Sequence, residues 1–253
     1  MKKTNVVIIG GGTGGLVAAV RGAQNGLGIT LVEKERLGGT CVNAGCIPSK
    51  ALLNASDLAY RPLHGEEMGI QAKVDVDYKK MIGWKDEIVD QIRSMAQRTL
   101  ERAGVDVKRA KASFSSSNEV ILSTGEEEES IKFDKAIIAT GSKPIELPSF
   151  PFDHEAVLDS SQFLDLTALP DRLLIVGAGY IGMELGTVCA RLGVDVTLIE
   201  MMDQILPSWD RRLVQPVARK AEELGIHFHF GLKASRIETE KEETIVVAES
   251  KSG

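Results

Sequence analysis

An α/β protein built from two tandem units is what this sequence predicts, on three observations. Two apolar runs each enter a glycine-rich turn: Val6-Val7-Ile8-Ile9 leads into Gly10-Gly11-Gly12-Thr13-Gly14-Gly15, and Leu173-Leu174-Ile175-Val176 leads into Gly177-Ala178-Gly179-Tyr180-Ile181-Gly182. Each turn is followed by a helix-length stretch and a second apolar run that ends in an acid. These runs are Ile29-Thr30-Leu31-Val32-Glu33 and Val196-Thr197-Leu198-Ile199-Glu200, and each acid lies at the same distance from its first glycine. Short strand-like runs between the copies read as a β-meander. Together they describe two Rossmann-like dinucleotide-binding domains, three-layered around a parallel sheet.

The residues of each copy follow from the chemistry of a dinucleotide. Gly10 and Gly177 permit the tight turn. Gly12 and Gly179 let backbone approach a pyrophosphate, and Gly15 and Gly182 let helix pack on strand. Gly14 belongs to the same turn. The pyrophosphate meets free N–H groups at the positive end of a helix. Glu33 and Glu200 accept hydrogen bonds from a ribose diol. A carboxylate at Glu200 repels a 2′-phosphate, and Met201 and Met202 add no positive charge, so NAD is expected over NADP.

Between the copies, 50–63 reads as a helix continuing from a cysteine-bearing segment. The apolar spacing of Met81, Ile82, Ile88, Val89, Ile92, Met95 and Leu100 predicts a second helix over 78–103, with Gly104 as its C-cap. Strands are expected near 105–107, 112–114, 120–122, 131–133 and 136–139, with the acids of 126–129 in a solvated turn. Pro144, Pro148 and Pro151 mark a linker, which places the domain boundary near Ser149.

A chain of 253 residues holds one large or two modest domains. Its net charge of −6 argues against nucleic-acid and anionic-membrane partners, and leaves any anionic cofactor to local donors. No apolar run is long enough to span a bilayer. The run after Met1-Lys2-Lys3 is too short for a signal peptide, and a cytoplasmic protein is expected.

Three cysteines are too few for a disulfide scaffold. A disulfide between Cys41 and Cys46 would close so small a loop that its entropic stabilisation is only about 2 kcal/mol, against ~4.7 kcal/mol for a hundred-residue loop. Zinc needs more ligands than the neighbourhood offers. A reversible dithiol fits better. Pro48 suits the first turn of a helix, so Cys46 lies just before a positive helix end that favours its thiolate by up to ~2 kcal/mol. Cys189, in an apolar helix, reads as core. His227 and His229 alternate around Phe228 and read as edge-strand side chains rather than metal ligands.

The run Gly38-Gly39-Thr40-Cys41-Val42-Asn43-Ala44-Gly45-Cys46-Ile47-Pro48 matches the G-G-T-C-x-N-x-G-C-x-P of the flavoprotein disulfide reductases, and the chain resembles that family over essentially its whole length. Ser49-Lys50 resembles the dihydrolipoyl dehydrogenase and mercuric reductase branches. Gly177 to Gly186 and Asp203-Gln204-Ile205-Leu206-Pro207 are most similar to the first of these. The resemblance implies a glutathione-reductase-like fold with an FAD-binding domain over 1–149 and an NAD-binding domain over 150–253. It implies that the first glycine turn, Glu33, Lys34, Thr40, Ala112, Thr140, Gly141 and Ser142 hold FAD. Cys41 is then the interchange thiol, Cys46 faces the flavin, and Lys50, paired with Glu184, sits near the flavin's reactive nitrogen. The second turn and Glu200 bind NAD, with Tyr180 and Ile181 at the nicotinamide pocket.

The implied reaction carries electrons from dihydrolipoamide through the Cys41–Cys46 disulfide and FAD to NAD⁺. The implied partner is the lipoyl domain of a 2-oxo acid dehydrogenase or of the glycine cleavage system. Family members continue into a C-terminal dimerisation domain that supplies a His-Glu acid/base pair. None of His64, His154, His227 or His229 lies in such a pattern. The chain is therefore expected to be the N-terminal half of such an enzyme, with weak or absent turnover alone and a homodimer only at full length. The catalytic alternative is a mercuric reductase-like or other NAD(P)H disulfide reductase, and the alternative from another class is a dinucleotide-binding module without turnover.

Overall fold

A computed structural model describes residues 2–153, 155–240 and 243–250; His154 lies outside them. In chain order the first elements are β1 (Lys2–Ile9), α1 (Thr13–Gln24), β2 (Ile29–Glu33), α2 (Gly39–Ala44), α3 (Cys46–Leu63) and α4 (Tyr78–Arg102). A meander follows, of β3 (Asp106–Arg109), β4 (Lys111–Ser116), β5 (Glu119–Thr124) and β6 (Glu127–Ile138). The remainder is α5 (Ser160–Leu164), β7 (Arg172–Val176), α6 (Tyr180–Arg191), β8 (Asp195–Glu200), α7 (Arg211–Glu223), β9 (His227–Phe230), β10 (Leu232–Glu240) and β11 (Glu243–Ser250).

The chain divides into two compact units, Met1–Pro48 with Asp86–Lys143, and Ser49–Lys85 with Pro144–Gly253. The division is interleaved, where the expected one at Ser149 is linear. The cause is packing: Leu52 of α3 and Ile82 of α4 are buried in one core with Met183, Leu185, Val188 and Leu198.

The first unit is a six-stranded sheet in the order β3-β2-β1-β6-β5-β4. Strands β3, β2, β1 and β6 are parallel, β5 pairs antiparallel with β6, and β4 pairs antiparallel with β5. Strand alternation sends Val6 and Ile8 of β1 into one core with Leu31, Leu100 and Val105. It sends Val7 to the opposite face with Val32, Val120, Ile131 and Phe133. Two expectations need correction. The run 131–133 and all but the last residue of the run 136–139 belong to one long strand, whose early part pairs with β5 and whose later part pairs with β1. The acids Glu127, Glu128 and Glu129 stand on that strand rather than in a turn. Gly125, at φ 65°, lets the hairpin reverse within two residues, so pairing resumes at Glu127 and Glu129 meets Lys108 at 2.9 Å.

The second unit holds a parallel sheet in the order β7-β8-β9 and the antiparallel hairpin β10–β11. No helix among the described residues is long and apolar enough to cross a membrane.

Candidate functional site

The two glycine turns are built alike. Gly10 (φ 107°) and Gly177 (φ 102°) are left-handed, which a side chain would strain. A Cβ on Gly15 or Gly182 would overlap the carbonyl oxygen of Gly10 or Gly177, so helix meets strand with no room for a methyl. Helices α1 and α6 begin at Gly12 and Gly179 with no side-chain cap and no acid in the first turn. By contrast α5 and α7 are capped by Asp159 and Asp210. The two glycine-turn helices thus keep their first N–H groups and positive dipole ends for an anion.

Each acid folds back onto its turn. Glu33 accepts from the Gly11 N–H at 2.7 Å and the Glu35 N–H at 2.8 Å. Glu200 accepts from the Ala178 and Met202 N–H groups, both at 2.8 Å. A carboxylate oxygen has two lone pairs, so each keeps capacity for a ribose hydroxyl.

Cys41 on α2 and Cys46 at the start of α3 form a disulfide, with Cα atoms 4.6 Å apart. Its segment is fastened to the first turn: the Gly38 N–H donates to the Gly11 carbonyl at 2.8 Å, and Gly12 and Gly38 form a β-bridge. Between the cysteines, Asn43 donates to the Leu37 and Gly39 carbonyls, each at 3.0 Å, and accepts from Arg93 at 3.4 Å. Cys189 is buried, and burial pushes its thiol up to about 12, so it stays protonated and unreactive.

The remaining expected residues fall near these features to different degrees. Thr140 follows β6, its Cα beside Gly10; Gly141 and Ser142 continue outward, exposed. Ala112 lies on β4, which starts beside the end of β2 because the Ala110 N–H donates to the Glu33 carbonyl at 3.0 Å. Thr40 is exposed on α2, and Gly14 is exposed in the first turn. Lys34 is exposed and paired with Glu35 at 3.0 Å, whose hydrogen bond and charge hold the lysine above its ordinary pKa. The Lys50 Nζ donates to both oxygens of Glu184, at 2.7 and 2.8 Å, joining α3 to α6. Tyr180 and Ile181 are 68% and 44% exposed at the start of α6.

Sequence reasoning missed a cleft of about 550 Å³, lined by Arg36, Arg93, Arg98 and Arg109 together with Glu33, Glu35 and Glu101. These arginines come from the β2–α2 connection, one face of α4 and the end of β3, so no local motif announces them. The acidic net charge was the one hint, since it leaves an anion to local donors.

The pyridine nucleotide-disulphide oxidoreductase family profile matches residues 4–253. A dihydrolipoyl dehydrogenase of Halobacterium salinarum is 47% identical over 253 residues, covering 99% of this chain and 53% of the relative. One of Bacillus subtilis is 40% identical, covering 98% and 53%. The chain spans about half the length of these curated relatives. Among solved structures, the Cu(II) complex of the HOCl-induced flavoprotein disulfide reductase RclA from Escherichia coli is 29% identical with a TM-score of 0.84, covering 98% of this chain and 54% of that one. LpdA from Mycobacterium tuberculosis shares the fold, at 24% identity and a TM-score of 0.89, covering 98% and 55%.

Proposed function

The chain belongs to the pyridine nucleotide-disulphide oxidoreductase family, and from that premise we propose that it carries the disulfide and dinucleotide chemistry of a dihydrolipoyl dehydrogenase. One observation carries the reading: a disulfide segment is hydrogen-bonded onto a dinucleotide turn through Gly38 and Gly11. FAD is assigned to the first unit. The uncapped start of α1 takes its pyrophosphate, Glu33 its adenosine ribose, and the arginines of the cleft offset its charge. NAD is assigned to the second unit, at the start of α6 and Glu200. The bound flavin supplies two-electron transfer between a dithiol and a nicotinamide.

The chain's own part is thiol exchange. A dihydrolipoamide thiolate attacks Cys41, the Cys41–Cys46 bond breaks, and Cys46 leaves as a thiolate at the positive end of α3. The second dihydrolipoamide thiolate then attacks the sulfur joined to Cys41. Lipoamide departs oxidised, and both cysteines are left reduced. The lipoyl domain of a 2-oxo acid dehydrogenase or of the glycine cleavage system is the proposed donor. The chain is reconstituted with FAD and reduced by one equivalent of dihydrolipoamide. A long-wavelength absorbance band is expected, and Cys46→Ser abolishes it; a wild-type chain that binds FAD without developing the band overturns the reading.

A further inference from the structure

We propose that Asp57 and Arg191 are positioning residues: a clamp that holds α3 on α6 in the register that delivers the Lys50 amine to Glu184. The clamp deepens the functional reading above and rests on it for its catalytic meaning. The two helices are joined by two ion pairs, and the second lies two turns further along both of them, about 10 Å from the first. The first is Lys50–Glu184 at 2.7 Å; the second is Asp57–Arg191 at 3.1 Å. Their polarity is reversed. Helix α3 offers a cation and then an anion, while α6 offers an anion and then a cation. A slip of two turns in either direction sets Asp57 against Glu184 or Lys50 against Arg191, both repulsive.

The two pairs differ in how well they hold themselves. The Lys50 and Glu184 side chains are 58% and 28% exposed, so this pair is screened by water and orders a long, mobile lysine for little return. The Asp57 and Arg191 side chains are 22% and 19% exposed. Arg191 also donates to the Leu53 carbonyl at 3.3 Å, and the second oxygen of Asp57 accepts from Arg61 at 2.6 Å. Leu52, Leu185 and Val188 are buried in the core these helices share. The inner pair therefore sets the register, and the outer pair inherits it.

The test reads Lys50 itself and needs no cofactor. The 253-residue chain is treated with limiting acetic anhydride, labelling is quantified residue by residue by mass spectrometry, and folding is followed by circular dichroism. Arg191→Met is expected to raise Lys50 labelling about 1.4- to fivefold, the range one such ion pair supports, with Lys111 unchanged. Arg191→Lys, which keeps the charge, is expected to restore much of the protection. In a Glu184→Gln background, Arg191→Met is expected to add nothing, because the clamp acts through that pair. Wild-type labelling in folded Arg191→Met, or an effect that adds fully to Glu184→Gln, overturns the clamp. Should Arg191→Met fail to fold, the isosteric Asp57→Asn decides by the same readout. A chain that shows the labelling shift but no flavin absorbance band keeps the clamp and loses the functional reading; the opposite pattern loses only the clamp.

Discussion

The two glycine turns share a backbone plan and differ in their surroundings. Each opens on a left-handed glycine and ties its acid to the second residue of the turn, Gly11 or Ala178. A side chain on Gly10 would run into the carbonyl of Ala139 and crowd the Cα of Thr140, whereas at Gly177 nothing lies within 4 Å. A Cβ on Gly11 would sit 2.7 Å from a Leu37 methyl, while the matching place in the second copy holds Ala178, fully buried. The first turn stands mid-sheet with β6 alongside β1; among the described residues β7 is an edge strand. The shared features are thus imposed by the turn itself. Of the two extra glycines of the first copy, Gly11 is imposed by its neighbours, whereas a Cβ on Gly14 would meet nothing within 4 Å.

Paired substitutions test that contrast. Gly10→Ala is expected to destabilise by more than about 3 kcal/mol in urea unfolding, because strain and a backbone overlap combine. Gly177→Ala, with only the left-handed strain, is expected to lose about 1–2 kcal/mol; equal losses would show that the neighbours are irrelevant. Replacing either acid by glutamine removes one of its two backbone bonds and the charge behind both. A loss of about 1.5–3 kcal/mol is expected, larger at Glu200, which is 8% exposed, than at the half-buried Glu33. On the proposed assignment, calorimetry should find NAD binding weakened only by Glu200→Gln and FAD binding only by Glu33→Gln. Gly11→Ala and Ala178→Gly exchange the two copies at one of their points of difference. Each is expected to lose about 1 kcal/mol, one by displacing Leu37 and the other by removing a buried methyl.

The smallest effect at neutral pH separates the copies by titration. Cys189 on α6 stands where α1 has Gly22. Its thiol is raised from 9.0 to about 12 by burial. The neutral form is favoured in the folded state, so its contribution is complete below pH 9 and declines as pH rises from about 9 toward 12. Tyr78, raised from 10.0 to about 12 chiefly by burial, adds to the same decline from about pH 10 upward. Urea midpoints measured at about pH 8 and about pH 10.5 should fall, and Cys189→Ala should flatten the fall. An identical slope in the variant would remove Cys189 from the account.

Legibility tracked locality. Helix α4 was readable because its apolar residues recur within one turn of each other; its observed span, Tyr78–Arg102, ends one residue short of the expected end. The glycine turns were readable because their residues are contiguous, and their acids because each ends the second apolar run at the same distance from its first glycine. Helix α5 was not, since five residues carry too little periodicity, and its Asp159–Gln162 capping box is recognisable only beside a known helix. Strand β6 was read as two because Asp134 and Lys135 interrupt its apolar pattern. Those residues are exposed, and the strand continues through them because β1 pairs with it from Ile131 to Ile138. The cleft arginines and the Asp57–Arg191 pair left no local trace.

By itself the sequence determined the duplicated glycine turns, the acid that closes each, the paired cysteines ahead of a helix, and the α/β class. The turns and the cysteine segment are matters of backbone conformation and nearest neighbours along the chain, and each acid is marked by ending the second apolar run at the same distance from its first glycine. Only the tertiary structure decided that most of α3 packs with the second unit, that Gly11 must be bare where Ala178 need not be, and that Asp57 finds Arg191. Those outcomes depend on which distant side chains share a core, and that is a property of packing rather than of spacing.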